Sequence, residues 1–351
     1  MLTKLRALLY IITHVGRAAR VMGDVSTLGR YWVLESMREI GLFDYLREPH
    51  TFKEIMNEFG FINSDYTADV MVALTNDREG VLEFDGERYF LHPQHRLPTY
   101  DEMKARLSPA VLGLHIAGEL AKQVPLRMRG ESSAFAQRLE RERGELMTFD
   151  STLSNRIYDT LRVSSWIWAR PYIGSLDGKT LLDVGCGSGR ETAHLWLLLD
   201  GKVKITAVDP VPSFVDMARE RFSAMLQGLN RGKPHPPLTD DNRPEFQVMS
   251  AVNLNYPDAH FDLVFHAGML HWTSNPQKAV AEMLRVLKPG GVIFGGVTYK
   301  PAINTYQDLL IRVSDNVAGF PWHDDIVRWH RDNGVEFENL VSGVYRAKKK
   351  A

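Results

Sequence analysis

The chain has 351 residues, with 42 basic and 43 acidic side chains, a net charge of −1 and 44% hydrophobic residues. This length favours two domains, and the composition is that of a soluble globular protein. The balanced charge leaves no overall field that would attract nucleic acid or a membrane. The single cysteine, Cys186, excludes an internal disulfide framework and a thiolate-rich zinc site, which favours a reducing compartment and a cytoplasmic location.

The first residues predict an amphipathic helix. The apolar core of "MLTKLRALLYIITHVGRAAR" is too short for a signal peptide, and no apolar run of the chain approaches the roughly 20 residues of a membrane span. Apolar side chains recur at helical spacing, namely Leu2, Leu5, Leu8, Leu9, Ile12 and Val15. Residues 1–30 carry five basic and one acidic side chains, a net charge of +4. We expect packing on the same chain or on a partner subunit, with peripheral attachment to a membrane surface as the alternative.

Residues 31–92 predict three helices followed by a hairpin. "YWVLESMREIGLFDYL", "TFKEIMNEFG" and "NSDYTADVMVALTNDREG" have helical patterns with caps. "VLEFDGERYFL" alternates around Asp85-Gly86, a pair that favours a two-residue hairpin turn. This is the order of a winged helix. However, residues 51–92 carry three basic and nine acidic side chains, a net charge of −6, which would repel a phosphate backbone. We therefore expect no nucleic acid partner.

Residues 93–178 predict a mainly helical connection. Its helical stretches are "SPAVLGLHIAGELAKQV", "SSAFAQRLERERGELM" and "YDTLRVSSWIWARPYI". The predicted organisation is an N-terminal helix and winged-helix-like domain over 1–98, a helical connector over 99–178 and a third region over 179–351.

From Lys179 short apolar strands alternate with amphipathic helices, which predicts a Rossmann-like α/β fold with a mostly parallel sheet. The predicted strands are "TLLDVG", "VKITAVD", "EFQVMS", "FDLVFHA" and "GVIFGGV", with helices near 190–200, 212–228 and 276–287. Residues 229–245 read as a surface loop. "VEFENLV" and "GVYRAKKK" predict a closing antiparallel hairpin.

The turn after the first of these strands is rich in glycine. Gly185, Gly187 and Gly189 would let a ligand approach the backbone and the start of the following helix. A dinucleotide-binding turn would place a small residue where Arg190 stands, so the pattern favours a smaller ligand, an amino acid joined to a nucleoside. Asp183 could organise the loop and an ammonium group.

The second strand predicts a ribose-binding carboxylate. Asp209 ends "ITAVD", twenty residues after Gly189, and a carboxylate there can accept hydrogen bonds from both ribose hydroxyls. The alternative role for Asp209 is a helix cap before "PSFVDMAR".

The segments "LLDVGCGSGRET", "ITAVDPVPSFVDMAR", "FDLVFHAGMLHW" and "EMLRVLKPGGVIFGG" resemble the class I S-adenosylmethionine-dependent methyltransferases, in that family's order, from Lys179 to about Lys348. The region in front is similar to the dimerisation domain of small-molecule O-methyltransferases. The resemblance implies a seven-stranded sheet, S-adenosyl-L-methionine as cofactor and a homodimer.

The resemblance also assigns residues to the cofactor. Those beside its methionine part would be Asp183, Gly185, Cys186, Gly187 and Gly189, and Asp209 would hold the ribose. Many relatives have an aspartate for adenine at the end of the third strand. This chain has Ser250 there, followed by Ala251; the serine hydroxyl can still accept a hydrogen bond.

For the acceptor, the resemblance points to the segment after the fourth strand. His271 stands where plant-type O-methyltransferases carry a catalytic base, and its alternative role is that of a pocket-wall or helix-start residue. His266 is structural or near the cofactor. Residues expected to border the acceptor are Trp166, Trp168, Met269, Trp272 and Trp322, which would suit a flat or apolar molecule. No metal constellation is present in the sequence.

These observations predict an enzyme that methylates a small, largely apolar or aromatic metabolite, with oxygen as the expected acceptor atom. The alternative is carbon or nitrogen on a quinone, lipid or natural product. A different class of protein, a cofactor-binding regulator without catalysis, is disfavoured by the acidic winged helix.

Overall fold

The computed structural model describes residues 2–107, 115–133, 156–230, 234–300, 305–341 and 343–351. By contacts the chain divides into two compact units. The first consists of Met1–Ala18, Arg138–Ala302 and Phe320–Ala351, and the second of Ala19–Gln137 and Ile303–Gly319. Each unit consists of separate stretches of the chain, whereas the domains predicted from the sequence are consecutive ranges.

The second unit contains the predicted hairpin and the second and third of the predicted helices, whereas the predicted N-terminal helix and most of the first of the three are one continuous helix, Leu2–Glu39. Its elements begin with α1 (Leu2–Glu39), which starts in the first unit, and continue with α2 (Leu42–Tyr45), β1 (His50–Thr51), α3 (Phe52–Phe59), α4 (Ser64–Thr75), β2 (Leu82–Phe84) and β3 (Arg88–Leu91). A capping box at Thr51 and Glu54 fixes the start of α3. The strands form an antiparallel sheet in the order β1-β3-β2. The strand β1 was not predicted, and it completes the winged-helix arrangement.

Shorter helices follow the hairpin. They are α5 (Tyr100–Lys104), α6 (His115–Ala121) and α7 (Val124–Met128). The predicted helix over 132–147 lies almost entirely outside the described residues. In the same unit, α12 (Thr305–Arg312) is joined to α4 by the Tyr66 hydroxyl, which donates to the Leu309 carbonyl at 2.8 Å.

The first unit is built on a seven-stranded sheet, as predicted. Its strands are β4 (Thr180–Val184), β5 (Lys204–Asp209), β6 (Glu245–Val248), β7 (Phe261–Ala267), β8 (Leu287–Gly296), β9 (Val335–Val341) and β10 (Val344–Lys349). They lie in the order β6-β5-β4-β7-β8-β10-β9. The first five are parallel, and the β9–β10 hairpin is antiparallel. The predicted closing hairpin and Rossmann-like sheet are confirmed.

Helices cover both faces of this sheet. They are α8 (Arg156–Ile173), α9 (Arg190–Leu198), α10 (Pro212–Asn230), α11 (Pro276–Val286) and α13 (His323–Asp332), with a 3₁₀ turn at Leu270–Trp272. The buried residues of β4 alternate between two core clusters, Leu181 with α8, α9 and α10, and Leu182 with α11 and α13. Because the parallel strands end at one edge, that edge gathers the glycine turn and the predicted carboxylates. In the described part of the chain, no helix is long and apolar enough to cross a membrane.

Candidate cofactor and acceptor site

The glycine turn joins β4 to α9 and is tied to the end of β5. Gly185 N and Cys186 N both donate to the Val208 carbonyl oxygen, at 2.8 and 3.0 Å. All three glycines have positive φ, 77° at Gly185, 52° at Gly187 and 85° at Gly189, a region that side chains other than glycine disfavour. The backbone path of the loop therefore requires glycine.

The three glycines face different surroundings. A Cβ on Gly185 would lie 2.7 Å from the Met269 Cβ, and one on Gly189 would lie 2.8 Å from the Ala218 Cβ. At these two positions the protein's own side chains fill the space next to the glycine Cα. A Cβ on Gly187 would meet nothing within 4 Å. Gly187 is thus the glycine whose bare backbone faces open space, where a ligand can approach.

Asp183 is a buried carboxyl beneath this loop. It accepts a hydrogen bond from the Thr192 hydroxyl at 2.6 Å, and only 1% of its surface is exposed. Burial raises the pKa of Asp183 to about 7, although the Thr192 hydrogen bond and the Arg162 guanidinium act in the opposite direction. Asp183 therefore organises the start of α9 and is ready to ionise next to a positive ligand group.

Asp209 at the end of β5 touches the glycine turn directly. Its Oδ2 accepts from Gly187 N and its Oδ1 from Val211 N, both at 3.0 Å. Burial raises the pKa of Asp209 to about 6, while these two backbone hydrogen bonds lower it. The bond from Val211 N closes a local turn just before α10 and takes the place of the helix cap that was the alternative role. Each carboxylate oxygen keeps a second lone pair, so the capping bonds leave capacity for ribose hydroxyls.

Ser250 and Ala251 follow β6 at the same edge. Met249 N donates to the Asp209 carbonyl at 3.0 Å, which fixes this segment against the end of β5. Ser250 is half-buried, whereas Ala251 is buried in the core cluster of α11 and α13. Cys186 is also buried. The structure thus brings together the glycine turn, both aspartates and the Ser250 backbone.

His271 lies in the 3₁₀ turn beyond β7, two residues after Met269, the residue that packs on Gly185. Its ring is buried, 3% exposed, and stacks on Phe320 with ring centroids 4.3 Å apart. Burial lowers the pKa of His271 to about 3. Its Nδ1 has no hydrogen-bond partner among the described residues. Burial therefore favours the neutral imidazole, in a turn whose neighbour Met269 packs on Gly185.

His266 is not brought to the glycine turn. Its Nε2 lies 2.5 Å from the Tyr345 hydroxyl, on the sheet face opposite Asp183. Burial lowers the pKa of His266 to about 3. These contacts favour the structural role that was one of the two expected for this residue.

The five residues expected to border the acceptor do not all lie at one site. Trp166 packs against Phe294, and Trp168 lies under the Arg346 guanidinium. Trp322 is 54% exposed, below the Lys300 ammonium. Among the five, Met269 and Trp272 adjoin His271.

Two side-chain relationships at this edge were missed by sequence reasoning. Phe320, from a segment without any motif, covers His271. Arg162, fully buried on α8, forms an ion pair with Glu191 in the first turn of α9. A lone arginine in the apolar stretch "LRVSSWIW" was the available signal for this ion pair. No group of three or more potential metal-ligating side chains occurs among the described residues.

A family model described as a methyltransferase domain matches residues 182–295. A tRNA U34 carboxymethyltransferase of Hydrogenovibrio crunogenus is 36% identical over 138 residues, which is 38% of this chain and 37% of that protein. A demethylmenaquinone methyltransferase of Renibacterium salmoninarum is 27% identical over 197 residues, 49% of this chain and 74% of that protein. The chain thus spans well under half of the length of the tRNA-modifying relative.

Solved structures share the fold over the whole chain. The CurJ carbon methyltransferase has a TM-score of 0.72 at 14% identity and covers 99% of this chain and 98% of its own. The citrinin polyketide synthase CMeT domain has a TM-score of 0.68 at 13% identity, with coverages of 100% and 96%. Together with the family match, these similarities show that the chain carries a domain of the class I S-adenosyl-L-methionine-dependent methyltransferases, the enzyme family whose methyl donor is S-adenosyl-L-methionine, behind a helical N-terminal region.

Proposed function

We propose that the protein transfers the methyl group of S-adenosyl-L-methionine to a carbon atom of a small, largely apolar metabolite. Oxygen was the acceptor atom expected from the sequence. The similarities favour the alternative, because the CurJ and DszA proteins, whose structures each align with 99% of this chain, are named as carbon methyltransferases. The observation that carries the proposal is the buried His271, which follows β7 two residues after Met269, the residue that packs on Gly185.

The residues at the sheet edge fit the cofactor. Gly187 leaves an open approach to the backbone, where the methionine part would lie, and Asp209 has acceptor capacity for the ribose. Asp183 and Cys186 support the loop from below, while Ser250 and Ala251 would flank the adenine. When bound, the cofactor supplies an activated methyl group on a sulfonium, so the protein's main task is alignment of the acceptor.

Carbon needs help to become a nucleophile, because a C–H bond next to a carbonyl must lose its proton. His271 can accept that proton on an imidazole nitrogen, because its ring is neutral. The burial that lowers the pKa of His271 also weakens it as a base. The negative charge left on the acceptor would lie next to the new imidazolium, which would offset part of the cost of protonating a buried ring.

The stack on Phe320 gives His271 one orientation. The two rings are inclined by 25° at a centroid separation of 4.3 Å, and no described side chain fixes the imidazole by a hydrogen bond. Apolar packing therefore positions the base, and because Nδ1 is buried, Nε2 is the nitrogen proposed to face the acceptor. Phe320 would act here as a positioning residue.

The tRNA-modifying relatives suggest a second acceptor class, which the charge distribution disfavours. Residues 51–92 carry a net charge of −6, and a polyphosphate backbone needs neutralising cations. We further infer a homodimer, as the resemblance implies, for which the exposed Ile62 (76%), Val72 (49%) and Phe84 (46%) of the helical unit are candidate contacts. The single cysteine favours a cytoplasmic location.

The experiment is a transfer assay with isotopically labelled S-adenosyl-L-methionine and a panel of 1,3-dicarbonyl thioesters, quinols and phenols. NMR of the product distinguishes a methyl on carbon from a methoxy group. His271→Ala should lower kcat by at least about a hundredfold with little change in the Kd of the cofactor, while the exposed His260→Ala serves as the matched control. Methylation of phenols alone, or full activity of His271→Ala, would overturn the proposal.

A further inference from the structure

The first turns of α1 present two opposite faces. Ala7 and Ile11 are buried, 0% and 7% exposed, in a cluster with Trp168 and Val344 of the first unit. The opposite face is apolar and open to solvent, with exposures of 62% at Leu2, 53% at Leu5, 52% at Leu9 and 70% at Ile12. Spacings of three and four residues align these four side chains in one stripe. We call them the outer stripe.

The first turns of α1 carry basic side chains and no acidic one. Lys4 and Arg6 are both exposed, and the first acidic residue of the sequence is Asp24. The whole chain, in contrast, has a net charge of −1. An apolar face on a helical segment whose charged side chains are all basic has the pattern of a helix that lies in a membrane interface.

We propose that the outer stripe is a docking surface for an anionic lipid bilayer. The four apolar side chains enter the boundary between headgroups and acyl chains, and Lys4 and Arg6 contact the lipid phosphates or carboxylates. Each basic residue near an anionic surface contributes about a fivefold gain in binding. Because Ala7 and Ile11 already fix the opposite face to the sheet domain, docking requires no unfolding of the helix from its own chain.

A second copy of the chain fits this surface less well. A two-fold contact through the outer stripe would offer Lys4 and Arg6 no acidic partner from the same segment, because the first acidic residue of the sequence is Asp24. A lipid surface with negative headgroups satisfies both the apolar stripe and its borders. This inference goes beyond methyl transfer and does not depend on the acceptor.

The test is co-sedimentation of the full chain with phosphatidylcholine vesicles, with and without phosphatidylserine. We expect binding to the anionic vesicles to exceed binding to the neutral ones by about tenfold or more and to fall with added salt. Leu5→Ser combined with Leu9→Ser should weaken binding by more than about tenfold, and Lys4→Ala with Arg6→Ala should remove most of the preference for anionic lipid.

Val248→Ser is the matched control, because Val248 is an exposed apolar residue of the same unit, 49% exposed on β6; it should bind vesicles as the unmodified chain does. Circular dichroism and cofactor binding show that each variant is folded. Absence of binding to anionic vesicles would overturn the proposal, as would equal binding by the double leucine variant. A dimer that the leucine variant converts to a monomer, with no vesicle binding, would assign the stripe to a second copy instead.

Discussion

His271 and Phe320 stack nearly parallel, with their ring centroids 4.3 Å apart. Both rings are buried, 3% and 7% exposed, and the apolar cover of Phe320 is part of the burial that lowers the pKa of His271 to about 3. The stack therefore links a residue without a sequence motif to the proposed base.

Phe320→Ala should raise the pKa of His271 toward its usual value near 6.5, because solvent reaches the imidazole. The change is measurable by NMR titration of the ring protons. We also expect kcat to fall at least about tenfold, since the ring loses its single orientation, and the fold to lose about 3–5 kcal/mol.

Phe320→Leu is the control for this variant. It keeps an apolar cover, so the pKa of His271 should stay well below 6.5 and the stability loss should be under about 1.5 kcal/mol. A pKa that remains near 3 in Phe320→Ala would show that other groups bury the imidazole.

Gly187→Ala and Gly189→Ala should separate ligand binding from folding. At Gly189 an added Cβ would lie 2.8 Å from the Ala218 Cβ at a φ of 85°, so this variant combines a clash with about 1–3 kcal/mol of backbone strain. At Gly187 the Cβ has open space, and only strain of about 1–2 kcal/mol is expected.

Thermal unfolding and calorimetry with S-adenosyl-L-methionine measure the two effects. Gly189→Ala should melt markedly lower. Gly187→Ala should remain folded but bind the cofactor more than about tenfold more weakly, because its methyl group occupies the ligand's approach. Normal cofactor affinity in folded Gly187→Ala would place the ligand elsewhere.

The fold was largely predictable because its signals are local. The alternating runs around Asp85-Gly86 gave the hairpin of β2 and β3, and short apolar runs between amphipathic helices gave the parallel strands. The two-residue strand β1 was missed because it forms only by pairing His50–Thr51 with Arg88–Tyr89, and neither residue carries a pattern by itself.

The site was predictable where a side chain's position follows from the end of its strand. Asp183 and Asp209 are placed by the strands that carry them, so periodicity was sufficient. The residues that contact His266 and His271 could not be predicted, because these contacts depend on the path of distant chain segments. His266 meets Tyr345 across 79 residues of sequence, and no spacing rule relates such positions.

Asp183→Asn should change the pH dependence of stability. The pKa of Asp183 is raised to about 7 in the folded protein, against about 3.9 when unfolded. As the pH rises from 4 to 7, the unfolded chain releases a proton that the folded protein keeps, so stability is lost. Asp183→Asn does not undergo this loss. The melting temperature of the variant minus that of the unmodified chain should therefore be larger at pH 8 than at pH 5.

Thr192→Val tests the cause of that pH dependence. The Thr192 hydroxyl favours the ionised form of Asp183. Without it, the pKa of Asp183 in the folded protein should rise further, so the loss of stability should continue to higher pH. If the melting temperatures of Asp183→Asn and the unmodified chain differ by the same amount at pH 5 and pH 8, the carboxyl of Asp183 titrates in the folded protein as it does in the unfolded chain.

His330 should have the opposite effect. It is fully buried between Phe337 and Tyr345, and burial lowers its pKa to about 4. As the pH falls from 6.5 to 4, the unfolded chain gains a proton that the folded protein does not, so stability is lost on the acid side.

His330→Phe removes this titration together with an Nε2 atom that has no partner among the described residues. Denaturant unfolding should show a stability within about 1 kcal/mol of the unmodified chain at pH 7.5 and a clear gain over it at pH 5; equal acid sensitivity of the two proteins would contradict a neutral, buried His330.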